Sequence, residues 1–186
     1  RAGADGSTIS ISDFRKLEGK GISISITDDL LSSFWDNRPS IPATKAYDVP
    51  IQYAGCSLEE KIGRIREGLR EKGASWTFIS SLDDIAWTLN LRASDVPYNP
   101  VFVSYLFISQ DEAILFADRS RFEPELASRL SSAVTIMAYE EAWTALREKA
   151  AGKGYIAPDR TAATFLGISS SFLSGRDISM DLKARK

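Results

Sequence analysis

Apolar positions change their spacing several times along this chain, and each change marks an element. Ile22, Ile24 and Ile26 alternate strictly with serines, which predicts a strand over Ile22 to Ile26. Just before it, DFRKLEGKG follows Ser12 and predicts a short helix capped by that serine and ended by Gly19 or Gly21. Thr27 is the predicted cap of a second short helix running through Trp35. From Asp36 to Cys56 the chain has no period and carries Pro39, Pro42 and Pro50, which predicts an irregular crossing segment and the best boundary between two units. Helical spacing then returns. Ser57-Leu58-Glu59-Glu60 has the form of a capping box, and Leu58, Ile62, Ile65 and Leu69 share one helix face until Gly73. SWTFIS, at Ser75 to Ser80, reads as a short strand.

The stretch from Ser81 to Ser109 sets three elements in succession. Ser81 starts a helix whose apolar face carries Leu82, Ile85, Ala86 and Leu89; Arg92 to Pro100 is a polar turn; VFVSYLFIS follows as a strand. Asp111 turns a hairpin into EAILFAD, so this pair is antiparallel. Arg121 to Leu130 is a helix with Pro124 in its first turn, VTIMAY a strand, and EEAWTALREKAA a helix ended by Gly152 and Gly154. A strand at Tyr155 to Ala157, a short helix at Arg160 to Leu166 and a weakly patterned tail complete the chain. Strands alternating with helices around one hairpin predict an α/β fold, with a mixed, partly antiparallel sheet flanked by helices.

Composition narrows the chemistry. The chain has 186 residues, enough for one domain or one domain plus a piece of another. With 44% hydrophobic residues and a net charge of -2, it fits a folded protein rather than a disordered one. Lys and Arg cluster only in the terminal KARK, which argues against nucleic acid as a partner, and no apolar run is long enough to span a bilayer. A single cysteine, Cys56, cannot make an internal disulfide and fits a reducing, cytoplasmic location. The chain opens at Arg1 without the order of a signal peptide and is expected to be a segment of a longer protein. It has no histidine, which removes Ser-His-Asp and Cys-His nucleophile systems and imidazole zinc sites. Carboxylate or lysine chemistry remains open.

Four acidic doublets invite a metal or general-acid reading: Asp28-Asp29, Glu59-Glu60, Asp83-Asp84 and Glu140-Glu141. All four fall in predicted first turns of helices, where free amides and the helix dipole favour negative charge, so one structural reason covers them. Gly152-Lys153-Gly154 lacks the spacing of a phosphate loop and is expected to be a helix cap. Trp76, Trp87 and Trp143 lie on or beside apolar periods and are assigned to core or interface, while Trp35 is placed to pin the segment before the crossing. The candidate site residues are Arg92, Asp95 and Asn99 in the turn. Arg92 and Asp95 either bind each other in a rigid corner or leave the arginine fork facing a ligand or a neighbouring domain.

These residues resemble the Xaa-Pro aminopeptidases, the long, three-domain type of the creatinase and prolidase family. AGADGSTISISDFRKL is similar to the end of that family's first domain, and DDLLSSFWDNRP, Asp28 to Pro39, to its inter-domain signature. Tyr53-Ala54-Gly55 and the helix with Lys61, Ile65 and Arg66 resemble the opening of the second domain. The match is tightest from Leu82 to Tyr105, through Ile85-Ala86-Trp87, Asn90-Leu91-Arg92, Ser94-Asp95-Val96 and Asn99-Pro100-Val101-Phe102; it weakens through Leu115 to Asp118 and ends in MDLKARK. The family often has glycine where this chain has Ala93.

The resemblance implies a ribonuclease-H-like, creatinase N-terminal fold for residues 39-186, with 1-38 the end of a preceding, similar domain and its linker. It also implies a parent enzyme that removes an N-terminal residue before proline, using a water held between two divalent metal ions, usually manganese, in a C-terminal pita-bread domain absent from this chain. The chain itself is then non-catalytic, without metal or cofactor, walling the cleft with Arg92, Asp95 and Asn99 as cleft-facing candidates. Its implied partners are its own catalytic domain, short proline-containing peptides and a second subunit. The alternative is a module binding peptides or basic proteins in an inactive relative, as in a histone-chaperone subunit of this fold.

Overall fold

The computed structural model describes residues 2–184 except 28, 30 and 170. Its first unit is strand β1 (Ala2–Asp5), helix α1 (Ile11–Gly19) and strand β2 (Ile24–Thr27), with β1 and β2 parallel from Ala2↔Ile24 to Asp5↔Thr27. The helix cap is Ser10 rather than Ser12: the Ser10 hydroxyl accepts from Asp13 N at 3.0 Å. That cap starts the helix early enough to bury Ile11 and Phe14.

The helix predicted after Thr27 does not form among the described residues. Thr27 ends β2, and Asp29 instead folds a turn, accepting from Leu31 N at 2.9 Å and the Ser32 hydroxyl at 2.7 Å. Side-chain acceptance by Asp29 competes with the helical pattern, and Leu31, Phe34 and Trp35 stay exposed. Asp28, the other half of that doublet, lies outside the described residues.

The crossing segment is less irregular than its prolines suggest. It holds a two-residue strand β3 (Tyr47–Asp48) and one helical turn α2 (Ile51–Ala54). Helix α3 (Leu58–Glu71) follows with the full capping box: Glu60 N donates to Ser57 Oγ at 3.2 Å and Ser57 N to Glu60 Oε2 at 2.8 Å. Then come β4 (Trp76–Ile79), α4 (Leu82–Thr88), β5 (Leu91–Arg92), β6 (Tyr105–Ser109), β7 (Ala113–Phe116), α5 (Pro124–Leu130), β8 (Thr135–Met137), α6 (Ala142–Lys149), β9 (Gly154–Ile156), β10 (Phe172–Ser174) and α7 (Ile178–Ala184). Strand β10 and helix α7 lie in the tail that carried no clear period. The predicted helix at Arg160 to Leu166 is a short 3-10 segment, Ala163–Gly167.

Six strands form the main sheet in the order β10-β9-β4-β6-β7-β8; only β6 runs against its two neighbours. The sheet is mixed and flanked by helices, as expected. Side chains on its strands alternate between two cores. Ile79, Leu106, Ile108 and Leu115 pack with Ile62, Ile65, Leu69 and Ile85 on the face covered by α3 and α4. Trp76, Phe78, Phe107, Ile114 and Phe116 pack with Leu146 and Phe165 on the other, where Ile11 of α1 joins them. The first unit is therefore seated on the main sheet.

Gly154 is not a cap. It lies in β9 against the Trp76 ring, and a Cβ there would sit 2.4 Å from ring carbons. Gly152, with φ +77, supplies the turn after α6. Strand β6 begins four residues later than the apolar run, because the backbone of Val101 and Val103 is engaged by Asp95: Asp95 N donates to Val101 O at 3.2 Å and Val103 N to Asp95 Oδ2 at 2.8 Å.

Candidate functional site

The corner from Trp87 to Ser104 is built from the end of α4 outward. Asn90 leaves the helix with φ +55, a conformation tolerated by asparagine when its side chain is held. Here it is held on three sides. Its Oδ1 accepts from Lys61, its Nδ2 donates to Cys56 O at 2.9 Å, and its carbonyl accepts from Val49 N at 2.7 Å. Lys61 is 1% exposed, donates also to Trp87 O at 2.7 Å, and lies 4.3 Å from the Trp87 ring centroid. Burial pushes its pKa below the ordinary lysine value.

Arg92 and Asp95 do not pair with each other. The half-buried Arg92 turns back, Nη1 donating to Ala86 O at 2.8 Å and Leu91 O at 2.7 Å, where a cation suits the carbonyl end of α4. Asp95 turns inward with its side chain 0% exposed, and its partner is Arg121, at 2.7 Å and also fully buried. Thr44 N and Oγ1 donate to the same carboxylate, and Arg121 reaches on to the carbonyls of Thr44 and Pro42. Burial raises the Asp95 pKa, but the bonds from Arg121, Thr44 and Val103 outweigh it and hold the carboxyl below its ordinary 3.8. Asn99 stands exposed in the turn beyond. Of the three candidates, the structure places Asp95 in the interior, Arg92 against α4 and Asn99 on the surface.

A second buried carboxylate escaped the sequence reading. Asp84, in the first turn of α4, has a side chain 0% exposed and binds Arg160 Nη1 at 3.1 Å and the Lys183 ammonium of α7. Asp83 beside it stays exposed, 3.6 Å from Lys183 and 3.9 Å from Arg160. Asp177 caps α7, accepting from Ser179 N at 2.9 Å and Ser179 Oγ at 2.8 Å. Burial lifts its pKa above the ordinary 3.8, with Asp84 pushing the same way and the serine bonds opposing. Helix-terminus effects account for Glu59, through the dipole, and for Glu60, through the capping box, but not for Asp84. The available signal was spacing, since Asp84 sits on the same side of α4 as Thr88, whose hydroxyl donates to the Asp84 carbonyl at 2.7 Å.

Chemically, these groups hold one another. Among the described residues no three Asp, Glu, Cys or His side chains converge as a metal ion would require, so the residues present do not fit a metal centre. A groove of about 350 Å³ beyond the ends of β4 and β9 is lined mainly by hydroxyls, including Ser80, Tyr105 and Tyr139, with Arg160 beside them. No helix of the described residues is long and apolar enough to cross a membrane.

A mixed sheet with helices on both faces and a pinned corner after α4 define an α/β domain of the creatinase N-terminal type. The chain belongs to the creatinase/prolidase N-terminal domain family, whose model matches residues 37–186. A probable Xaa-Pro aminopeptidase P of Arthroderma gypseum is 38% identical over 157 residues, covering 81% of this chain and 25% of that relative. Its counterpart in Arthroderma benhamiae is 36% identical over 178 residues, covering 92% and 24%. In structure the chain is similar to an X-prolyl aminopeptidase of Caenorhabditis elegans, described as a cytosolic enzyme with a di-nuclear active site; the TM-score is 0.86 at 25% identity, over 99% of this chain and 32% of that one. The chain thus spans about a quarter of the length of the curated relatives it matches.

Proposed function

We propose that this chain is the second, non-catalytic domain of an Xaa-Pro aminopeptidase, preceded at residues 1-38 by the end of a similar domain. One observation carries the reading: relatives named for that activity match most of the chain, yet the match occupies only about a quarter of each of them. In the parent protein, hydrolysis of the bond before proline takes place on another domain, with two divalent metal ions, manganese in the usual case, supplying the activated water. This chain contributes a wall. The corner after α4, fixed by Lys61 with Asn90 and by Asp95 with Arg121, lies on the cleft side with the exposed Asn99 and with Arg92, whose guanidinium is clasped on the end of α4, limiting entry to short peptides. The parent is cytosolic in this reading, and subunit contacts support its assembly.

The test compares the 186-residue chain with the full-length protein, both supplied with manganese and an Xaa-Pro peptide. Turnover by the full-length protein alone is expected; turnover by the isolated chain, or none by the full-length protein, rejects the reading. The second result would favour an inactive, binding relative. For Arg92, Arg92→Ala in the full-length protein separates two roles. A raised KM at unchanged stability supports a cleft contact, whereas lost stability at unchanged kinetics reduces the residue to a clasp on α4.

A further inference from the structure

Beyond the Asp95 pin the chain makes a four-residue turn, Val96-Pro97-Tyr98-Asn99, closed by Asn99 N donating to Val96 O at 3.1 Å. Tyr98 occupies its third position with φ +63. A turn with proline second and a left-handed third residue is normally completed by glycine or asparagine, because a Cβ there is strained. A bulky ring in that position is a backbone outlier. Among the described residues nothing repays the strain, since Tyr98 is 107% exposed, as open as a side chain can be. The turn is also stiff. Pro97 precedes Tyr98 and Pro100 follows Asn99, Val101 N donates to Asn99 O at 2.8 Å, and Asp95 N donates to Val101 O at 3.2 Å.

Strain held by a rigid surround, with the strained side chain presented to the outside, points to use by a partner. The turn's shape and charge say which kind. Val96, Pro97, Tyr98, Asn99 and Pro100 are all exposed and uncharged, and Tyr98 is 107% exposed, so the turn is an open, uncharged tip with its ring outward. A small ligand or short peptide needs a concavity; a projecting tyrosine suits a pocket on another protein surface, as buried aromatic anchors do at interfaces. Most of the polypeptide in the relatives lies outside the stretch that this chain matches.

We propose that Tyr98 is a docking anchor whose ring enters an uncharged pocket of the remaining polypeptide of the full-length protein, fixing this domain against it. The proposal rests on the reading of the chain as one domain of a longer protein, though not on that protein's activity. Its signature is a change of sign. Tyr98→Asn relieves the backbone and removes the ring; in the 186-residue chain it is expected to raise the folded-to-unfolded ratio roughly threefold to tenfold, read from urea midpoints. In the full-length protein the same change is expected to lower this domain's midpoint and to increase amide hydrogen exchange across Ser94 to Val101 by about tenfold. Tyr98→Phe, which keeps the ring, stays near wild type in the full-length protein.

A rise in midpoint in both contexts overturns the proposal. So does a dimer of the isolated chain that Tyr98→Asn dissociates, which would make a second copy the partner. An increase in KM for a proline peptide, with midpoint and exchange in the full-length protein unchanged, overturns it in favour of a peptide platform. Turnover by the wild-type full-length protein reports separately on the proposed activity.

Discussion

Asp95 and Asp84 are both aspartates with side chains 0% exposed, and both meet an arginine, yet they hold different things together. Asp95 is enclosed with an equally buried cation, Arg121. That pair ties the crossing segment at Pro42 and Thr44 to the turn before β6, two regions about fifty residues apart in the chain by the Thr44–Asp95 bonds. Asp84 is enclosed too, but its partners reach it from the surface: Arg160 is 35% exposed and Lys183 24%. It ties α4 to the loop after β9 and to the final helix. Removing one partner of an enclosed pair strands a charge; removing one of two half-exposed partners leaves the other in place.

Asp95 is where the loss of a partner costs most. Asp95→Ala leaves the Arg121 guanidinium buried without a counter-charge, in a site where its Nε already has no partner among the described residues. A loss of about 3–5 kcal/mol is expected, a large part of a typical domain's stability, read as a fall in the urea midpoint. Arg160→Gln or Lys183→Gln is expected to cost about 1 kcal/mol each, since both cations are partly solvated. If either surface-reaching cation costs as much as Asp95→Ala, the two carboxylates do not differ in the way the exposure of their partners implies.

A double-mutant cycle tests whether the two cations on Asp84 substitute for each other. Arg160 and Lys183 share Asp84, so the first substitution leaves one cation on the carboxylate and the second leaves none. The double variant is therefore expected to lose more than the sum of the singles, by about 0.5–1 kcal/mol. Additive losses would mean that Asp84 is compensated by other groups and that the anchor of α7 is packing alone, through Ile178 and Leu182 on the α3 face.

What the sequence disclosed follows from which interactions are local. The helix α3 was legible because its cap, acids and apolar face repeat within a few residues, and the hairpin of β6 and β7 because its turn is short. The pairing of Asp95 was not. Arg92 lies three positions away and Arg121 twenty-six, and only the folded sheet brings the distant arginine to the carboxylate. Asp84 misled for a related reason, since an acid in a helix's first turn has a sufficient local explanation and the cations that bury it come from residues far along the chain. Tail elements β10 and α7 stayed hidden because their stability is tertiary: β10 pairs with β9 and α7 packs on α3 and α4 rather than showing a strong period of its own. The corner's family pattern was visible, whereas the positive φ of Tyr98 was not, because a bulky residue at that position is a backbone outlier where glycine or asparagine is the usual choice.

The smallest effect concerns pH, and it separates Asp95 from the neighbour of Asp84. Asp95 has a folded pKa below 3.8, so its contribution is present above the unfolded value and is lost as pH falls through the folded one. Asp177 has the opposite sign. Its folded pKa lies above 3.8, so the ionised carboxyl burdens the folded state at neutral pH, and that burden is lifted as pH falls from the folded pKa toward 3.8. Asp177→Asn keeps an oxygen to accept from Ser179 while removing the charge beside Asp84. The variant is expected to melt higher than wild type at pH 7, with the gap closing as the solution is taken down toward pH 3.8. A gap that stays constant over this range, or a variant that melts lower at pH 7, would mean that the charge at the start of α7 is welcomed by the helix amides and by Arg160 more than burial opposes it. Asp177 would then belong with Asp95, as a second carboxylate whose ionised form the fold is built to keep.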